Sequence, residues 1–406
     1  MGNNVEPRTS NLELDQRRAM IVTGEASGDL HGAHLIRAAG DIDPGLSFFG
    51  VGGRLMEEAG CEILIPGEEL AVMGLVEVLG HFPVIWRAFN RLKKVLHGPD
   101  KPDMLILIDF PDFNLRLARQ AKAAGVPVLY YVSPQVWAWR RGRVKKIAAV
   151  VDRLAAILPF EPDFYRDEDI EVEYVGNPLT DEARTTRDRS SFLAEHGLEP
   201  DRPVVGLFPG SRRNELRYIF GTIVDTAQLL HRKNPELQFL LPVASSLRIE
   251  EIEEYLAGRD LPVTLVQDNV YDAIGACDAV VTVSGTATLQ TALIGTPMAI
   301  LYKMSPLTYA IGKRLIKVPH IGLANIVAGR RVVAEFIQDE ANPQAVAAEI
   351  LRLLEDEGYR RQVKEGLKLV RERIGDPGCS ERVARMASEM SRGMVRSLSY
   401  GKSRGG

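Results

Sequence analysis

The chain has 406 residues, enough for two domains of ordinary size that each bury their own core. With 45% hydrophobic and 26% charged residues and a formal net charge of -4, it reads as a soluble globular protein, and nothing in that balance points to nucleic acid as a partner. Three widely spaced cysteines, Cys61, Cys277 and Cys379, suit a reducing compartment and form no zinc spacing, and no run is long enough to span a membrane.

Residues 1–18 are polar, lack the apolar core of a signal peptide and are expected to be disordered, which predicts a cytoplasmic protein. Strand-like runs then alternate with helical segments. They fall at 20–23, 46–51, 104–109, 128–132, 154–158 and 172–175, and again at 204–208, 239–242, 263–266, 279–283 and 298–302. Gly176-Asn177-Pro178 and the polar stretch 181–198 separate the two series. Continuous apolar strands alternating with helices predict an α/β fold of two doubly wound, Rossmann-like domains facing a cleft. The expected domains are 19–180 and 200–376. A helix at 379–392 is expected to cross back onto the first domain or onto a partner chain, before a disordered tail at 393–406.

Ligands of such sheets lie beyond the carboxyl ends of the strands. After the first run comes Gly24-Glu25-Ala26-Ser27-Gly28-Asp29. Its glycines and serine admit a ligand close to the backbone, and Glu25 and Asp29 can accept from hydroxyls. A plain helix start with Asp29 serving the dipole explains it equally well, and it is not the dinucleotide fingerprint. His31 and His34 share a helix face without a third ligand. Asp41-Ile42-Asp43 and Asp167-Glu168-Asp169 are expected to be solvated surface, so no metal is expected. From Phe82 a helix would align Ile85, Phe89, Leu92 and Leu96 on one stripe and Arg87, Arg91 and Lys94 on another, with Trp86 at hand. That pattern fits a covering helix, and also a surface for anionic lipid or an acyl chain.

The apolar run 105–108 delivers Asp109 to a strand end beside Phe110, placed to take a proton as a general base; Asp112 reads as an N-cap. In Pro209-Gly210-Ser211-Arg212-Arg213-Asn214-Glu215, Gly210 permits a turn, Arg212 offers a planar fork for a diphosphate, and Glu215 can hold that guanidinium. The segment 279–298, AVVTVSGTATLQTALIGTPM, is a strand, a tight turn and a helix. Gly285 removes a side chain that would fend off an anion, and Ser284, Thr286 and Thr288 carry hydroxyls at a helix start that favours phosphate. The simpler reading makes Ser284 an N-cap. Two anion signals in one domain predict a nucleoside diphosphate site.

Together GEASGD (24–29), AVMGLVEVL (71–79), IDFPDFN (108–114), YYVSPQVWAWRRGR (130–143), YVGNPL (174–179), PGSRRNE (209–215), SGTATLQTALIGTPM (284–298) and GLANIVAGRRVVAEF (322–336) run in an order that resembles the lipid-A-disaccharide synthase family, over about residues 20–392. The resemblance implies an inverting glycosyltransferase of the GT-B fold. It would join UDP-2,3-diacylglucosamine to 2,3-diacylglucosamine 1-phosphate, making a β-1,6-linked disaccharide and releasing UDP at the cytoplasmic face of a Gram-negative inner membrane, with no metal or other cofactor. On this sequence it implies Asp109 as the base for the acceptor 6-hydroxyl, and Arg212 with the 284–288 turn as stabilisers of the departing diphosphate. Asn325 would hold the nucleotide, Glu25 would line the acceptor side, and Ser27, Gly28, Met73, Gly210, Ser211, Glu215 and Gln290 would complete the substrate contacts. It also assigns the 70–96 region to acyl chains. Where the family pattern reads SGTATLE this chain has Gln290, whose amide oxygen accepts from ribose hydroxyls more weakly than a carboxylate.

A UDP-N-acetylglucosamine 2-epimerase or a MurG-like transferase would share the sheets and the diphosphate site, and a non-catalytic UDP-sugar or lipid-binding module would share part of the pattern. The apolar-basic helix and IDFPDFN favour a lipid acceptor. The C-terminal helix leaves a domain-exchanged homodimer open.

Overall fold

The computed structural model describes residues 16–70, 75–134, 136, 142–211, 213–244, 246–259, 261–305, 309 and 319–393. The first sheet contains β1 (Arg17–Val22), β2 (Leu46–Gly52), β3 (Cys61–Pro66), β4 (Met104–Ile108), β5 (Val128–Tyr131), β6 (Arg153–Ala156) and β7 (Glu171–Tyr174), in the order β3-β2-β1-β4-β5-β6-β7. The second contains β8 (Val204–Phe208), β9 (Gln238–Pro242), β10 (Val263–Val266), β11 (Ala279–Val283), β12 (Met298–Tyr302) and β13 (Ala334–Ile337), in the order β10-β9-β8-β11-β12-β13. The pairings are parallel, including β1 with β4 and β8 with β11. At those two pairs the order of strands reverses direction, which makes each a topological switch point.

Every predicted strand is present, and the two-sheet α/β class is borne out. Two further strands, β3 and β13, escaped the sequence reading. Both are edge strands, only partly buried, so neither needs the unbroken apolar run of an interior strand. β1 also starts at Arg17, inside the segment expected to be disordered, because Arg17 is buried by contacts made far along the chain.

Helices of the first domain are α1 (Ala26–Ile42), α2 (Arg54–Glu58), α3 (Leu75–Leu96), α4 (Pro111–Ala123) and α5 (Arg143–Ala148). α6 (Leu179–Glu182) and α7 (Arg189–Glu195) lead to α8 (Arg213–Lys233), α9 (Ile249–Leu256), α10 (Val270–Ala276), α11 (Thr286–Ile294), α12 (Leu323–Ala328), α13 (Pro343–Glu355), α14 (Glu357–Ile374) and α15 (Cys379–Ser391). Alternation along each strand divides the first sheet between two cores. Met20, Val22, Leu105 and Leu107 pack with Leu92, Leu96 and Leu117 of α3 and α4. Ala19, Ile21, Ile106 and Ile108 pack with α1 and with Val383, Met386 and Met390 of α15. No helix among the described residues is long and apolar enough to cross a membrane.

α15 therefore closes the core of the first domain of its own chain, and buried charge fixes it there. Arg17 donates to both carboxylate oxygens of Asp43 at 2.9 and 2.8 Å and to Ser391 Oγ at 2.8 Å, while Ser388 Oγ donates to Asp43 at 2.6 Å. Asp43 is thus no solvated surface acid, a correction to the reading of Asp41-Ile42-Asp43. Burial alone would raise its pKa, but the bonds from Arg17 and Ser388 and the charges of Arg17 and Arg392 prevail and bring it down to about 2. A carboxylate with a depressed folded pKa stabilises above its unfolded pKa near 3.9 and loses that contribution as pH falls toward about 2, roughly 2–3 kcal/mol in all. Asp43→Asn is expected to cost about 3 kcal/mol at neutral pH by removing the buried negative charge that Arg17 faces, and to flatten the stability profile between pH 4 and 2. Thermal unfolding across that range checks both, and an unchanged midpoint would refute the assignment.

Two crossings join the domains. Asp181 accepts from the N–H groups of Gly378 and Ser380 at 2.6 and 3.4 Å, and Arg382 Nε donates to Val175 O at 2.7 Å. On the second-domain side, Asp272 accepts from the N–H groups of Thr186 and Arg187, so the linker is bonded to the start of α10.

Candidate active site

Asp109 and the 24–29 turn lie at one switch point, and Gly210, Ser211 and the 284–286 turn lie at the other. In the first domain, β1 and β4 are neighbours, so the GEASGD turn and Asp109 emerge side by side. Glu25 and Ser27 are exposed there. Gly28 has a packing reason: a Cβ on it would lie 1.8 Å from Thr23 Oγ1. Asp29 is engaged within the protein: its carboxylate accepts from the N–H groups of Gly53, Leu55 and Met56 at 2.6, 3.1 and 3.2 Å and so caps α2. The helix-start reading of Asp29 was close, but the helix it serves is the next one. His31 is held among core residues, and burial, then the charge of His34, depresses its pKa to about 4.

Asp109 is half-buried one residue past β4. It and Phe110 both adopt left-handed backbone, φ +47° and +46°, and Val132 at the end of β5 does the same at +64°. Each such residue costs on the order of 1–2 kcal/mol and marks a place where the surroundings impose a shape. Phe110 stacks on Phe113 with centroids 5.3 Å apart and covers Gly24, where a Cβ would meet its ring at 2.8 Å.

α3 covers this domain as an amphipathic helix. Leu92 and Leu96 are buried and Ile85 and Phe89 pack beside them, so the predicted apolar stripe faces inward. Trp86 is 59% exposed, with Arg87, Arg91 and Lys94 also exposed. Met73 lies outside the described residues.

In the second domain, β8 and β11 pair so that Phe208 is opposite Thr282, which places the Gly210 turn beside the Ser284 turn. Gly210 has φ +92°, a conformation that calls for glycine. Ser211 is exposed; Arg212 lies outside the described residues, as does the side chain of Glu215. At the neighbouring turn Gly285 is different. Its backbone is extended, φ 160°, and a Cβ there would meet nothing within 4 Å. Neither packing nor backbone conformation asks for glycine at 285.

The hydroxyls beside it are mostly committed. Ser284 Oγ donates to Ile321 O at 2.8 Å, and Thr288, fully buried, donates to Gly285 O at 2.8 Å. Thr288 is therefore not an anion donor, a correction to the sequence reading; Thr286 is exposed at the helix start. Gln290 Nε2 lies 3.5 Å from Tyr271 Oη. Burial raises the Tyr271 phenol to about 12, keeping it protonated. Tyr271 also lines a cavity of about 980 Å³ with His34, Asp181 and Glu182, beside the crossings rather than at the strand ends.

Asn325 is also corrected. It is fully buried, its Nδ2 donates to Val333 O and Glu335 Oε1 at 3.0 and 2.8 Å, and its Oδ1 accepts from Val332 and Val333 N–H at 2.7 and 3.0 Å. With both donors and both acceptor positions occupied, its amide ties α12 to the approach of β13 and has nothing left for a nucleotide. Glu335 completes this arrangement by accepting from Ile321 and Gly322 N–H, which fixes the loop that Ser284 bonds. Sequence reading missed Glu335, Tyr271, Tyr130 and Asn114. The last was visible only as the final letter of IDFPDFN.

Two parallel-sheet α/β domains, each with polar turns at its switch point, form an architecture of the GT-B type. The chain is similar in fold to a UDP-N-acetylglucosamine 2-epimerase from Neisseria meningitidis bound to UDP-N-acetylglucosamine, with a TM-score of 0.63 and 13% identity over 92% of this chain and 99% of that one. It is similar to MurG from Acinetobacter baumannii, with a TM-score of 0.57 and 12% identity over 92% and 99% of the two chains. A family model described as lipid-A-disaccharide synthetase matches residues 19–387. Lipid-A-disaccharide synthases of Syntrophotalea carbinolica and Geobacter sulfurreducens are 67% and 56% identical over 93% of this chain, covering 96% and 98% of their own lengths. The chain belongs to the lipid-A-disaccharide synthase family.

Proposed function

We propose that this chain condenses UDP-2,3-diacylglucosamine with 2,3-diacylglucosamine 1-phosphate. Asp109 takes the proton of the acceptor 6-hydroxyl as that oxygen attacks the anomeric carbon. The bond from that carbon to the diphosphate oxygen breaks, and UDP leaves with the electron pair. The carbon inverts, giving the β-1,6 linkage. Arg212 and the start of α11 carry the negative charge that grows on the leaving diphosphate, a role that needs no metal ion. Contact with the acceptor is assigned to Glu25, Ser27 and Met73, and contact with the nucleotide to Ser211, Glu215 and Gln290.

One observation carries this reading: Asp109 and the Gly285 turn each lie at the switch point of their own sheet, where α/β enzymes hold ligands. Family membership supplies the substrates. The exposed Trp86 beside Arg87, Arg91 and Lys94 supports peripheral work at the cytoplasmic face of an inner membrane, since an indole and basic groups suit an anionic lipid surface. In a homodimer that exchanged α15, the contacts of that helix would come from the second copy; light scattering across a wide concentration range tests this.

The decisive assay supplies both lipids in detergent with EDTA and follows UDP and the disaccharide phosphate by mass spectrometry. Equal yields of the two products are expected. UDP binding without disaccharide would overturn the reading in favour of another acceptor or a binding role.

A further inference from the structure

Asp109 is held by more than its place after β4. Its carbonyl oxygen accepts from Tyr130 Oη at 2.6 Å and from Asn114 Nδ2 at 2.8 Å, and its N–H donates to Tyr131 O at 3.3 Å. The same Nδ2 lies 3.2 Å from Ile108 O and 3.5 Å from Val22 O, so one amide spans the ends of β1 and β4. Three carbonyls around one end of the amide identify that end as nitrogen. Both Tyr130 and Asn114 are fully buried. Burial, then the nearby charge of Asp109, pushes the Tyr130 phenol well above its usual range, so it stays a donor at neutral pH.

The N–H bond to Tyr131 O is the last rung of the β4–β5 ladder, but the side-chain bonds from Tyr130 and Asn114 lie outside it, because β4 ends at Ile108. They converge on a residue with φ +47°, followed by another at +46°, in a region that side chains with a Cβ enter only under constraint. Phe110, pinned between Phe113 and Gly24, blocks relaxation on the far side.

We propose that Tyr130 and Asn114 are positioning residues, which hold the Asp109 backbone in the left-handed conformation from which its carboxylate meets the acceptor hydroxyl. This rests on the reading of Asp109 as the base. Misplacing a reacting group by a fraction of an ångström slows chemistry without weakening binding, so the signature is a loss confined to kcat. Tyr130→Phe removes one oxygen and keeps the ring. It is expected to lower kcat about tenfold or more, with KM for both lipids, the UDP Kd and Tm close to wild type. Asn114→Asp removes both donors at nearly constant shape and is expected to lose more; should it fail to fold, Tyr130→Phe carries the test. A Tyr130→Phe enzyme with kcat within twofold of wild type would overturn the proposal. So would a fall in kcat accompanied by matching losses in KM, UDP binding and Tm, which is what a merely structural role produces. Asp109→Asn is measured in parallel. If it keeps wild-type turnover, the base reading falls and takes the clamp with it; if it is inactive while Tyr130→Phe is normal, only the clamp falls.

Discussion

Asp109→Asn is expected to lower turnover by about a thousandfold while the UDP Kd stays within about twofold. Asparagine matches the shape of aspartate but cannot take a proton from the acceptor hydroxyl at neutral pH, so a base role predicts loss in the chemical step alone. The substitution is mild for the fold. Asparagine is among the residues that best tolerate left-handed backbone, and the bonds from Tyr130 and Asn114 go to the main-chain carbonyl, which is unchanged. The nucleotide side of the proposed site belongs to the other sheet, at β8 and β11, so UDP affinity is independent of this carboxylate. Steady-state turnover with both lipids, together with calorimetric titration of UDP, checks the two halves of the expectation. Equal loss of turnover and UDP binding would mean that Asp109 supports the structure rather than the reaction, and full turnover would leave the base unassigned.

How much of this was legible in the sequence depended on whether a residue's role is local. The interior strands were readable because burial on both faces demands unbroken apolar runs such as 104–108 and 279–283. The edge strands β3, β7, β10 and β13 escape that demand; β7 and β10 were still legible, while β3 and β13 were not. Placing Asp109 and Gly285 after strands was also local, and the sheet order then put both at switch points. Roles that depend on distant partners were not readable. Asp43 looked like a surface acid because Arg17, Ser388 and Arg392, which hold it, lie up to 349 positions away. Thr288 and Asn325 sit in motifs that point toward a nucleotide, yet each spends its hydrogen bonds inside the protein. A motif names residues that matter together; only the coordinates separate those that meet the ligand from those that shape the turn.

Gly285 offers the sharpest separation of that kind. Enlarging it to valine is expected to weaken UDP binding about a hundredfold, equivalent to about 2.7 kcal/mol, with Tm unchanged. The expectation rests on what the protein itself does not require. A Cβ at 285 would meet no atom within 4 Å, and the extended backbone there accepts a β-branched residue, so the folded state tolerates the change. The added methyl groups would instead occupy the space through which a diphosphate approaches the first N–H groups of α11. Two other glycines provide the contrast. Gly28→Ala would drive a methyl group to 1.8 Å from Thr23 Oγ1 and is expected to cost stability, on the order of 1–3 kcal/mol, before it touches any ligand. Gly210→Ala would force a Cβ into φ +92° and strain the turn itself. Thermal unfolding and UDP titration of the three variants should therefore diverge: affinity without stability at 285, stability first at 28 and 210. If Gly285→Val melted early, or bound UDP as tightly as wild type, the open space at the head of α11 would not be the diphosphate site, and the leaving group would have to be sought elsewhere along the ends of β8 and β11.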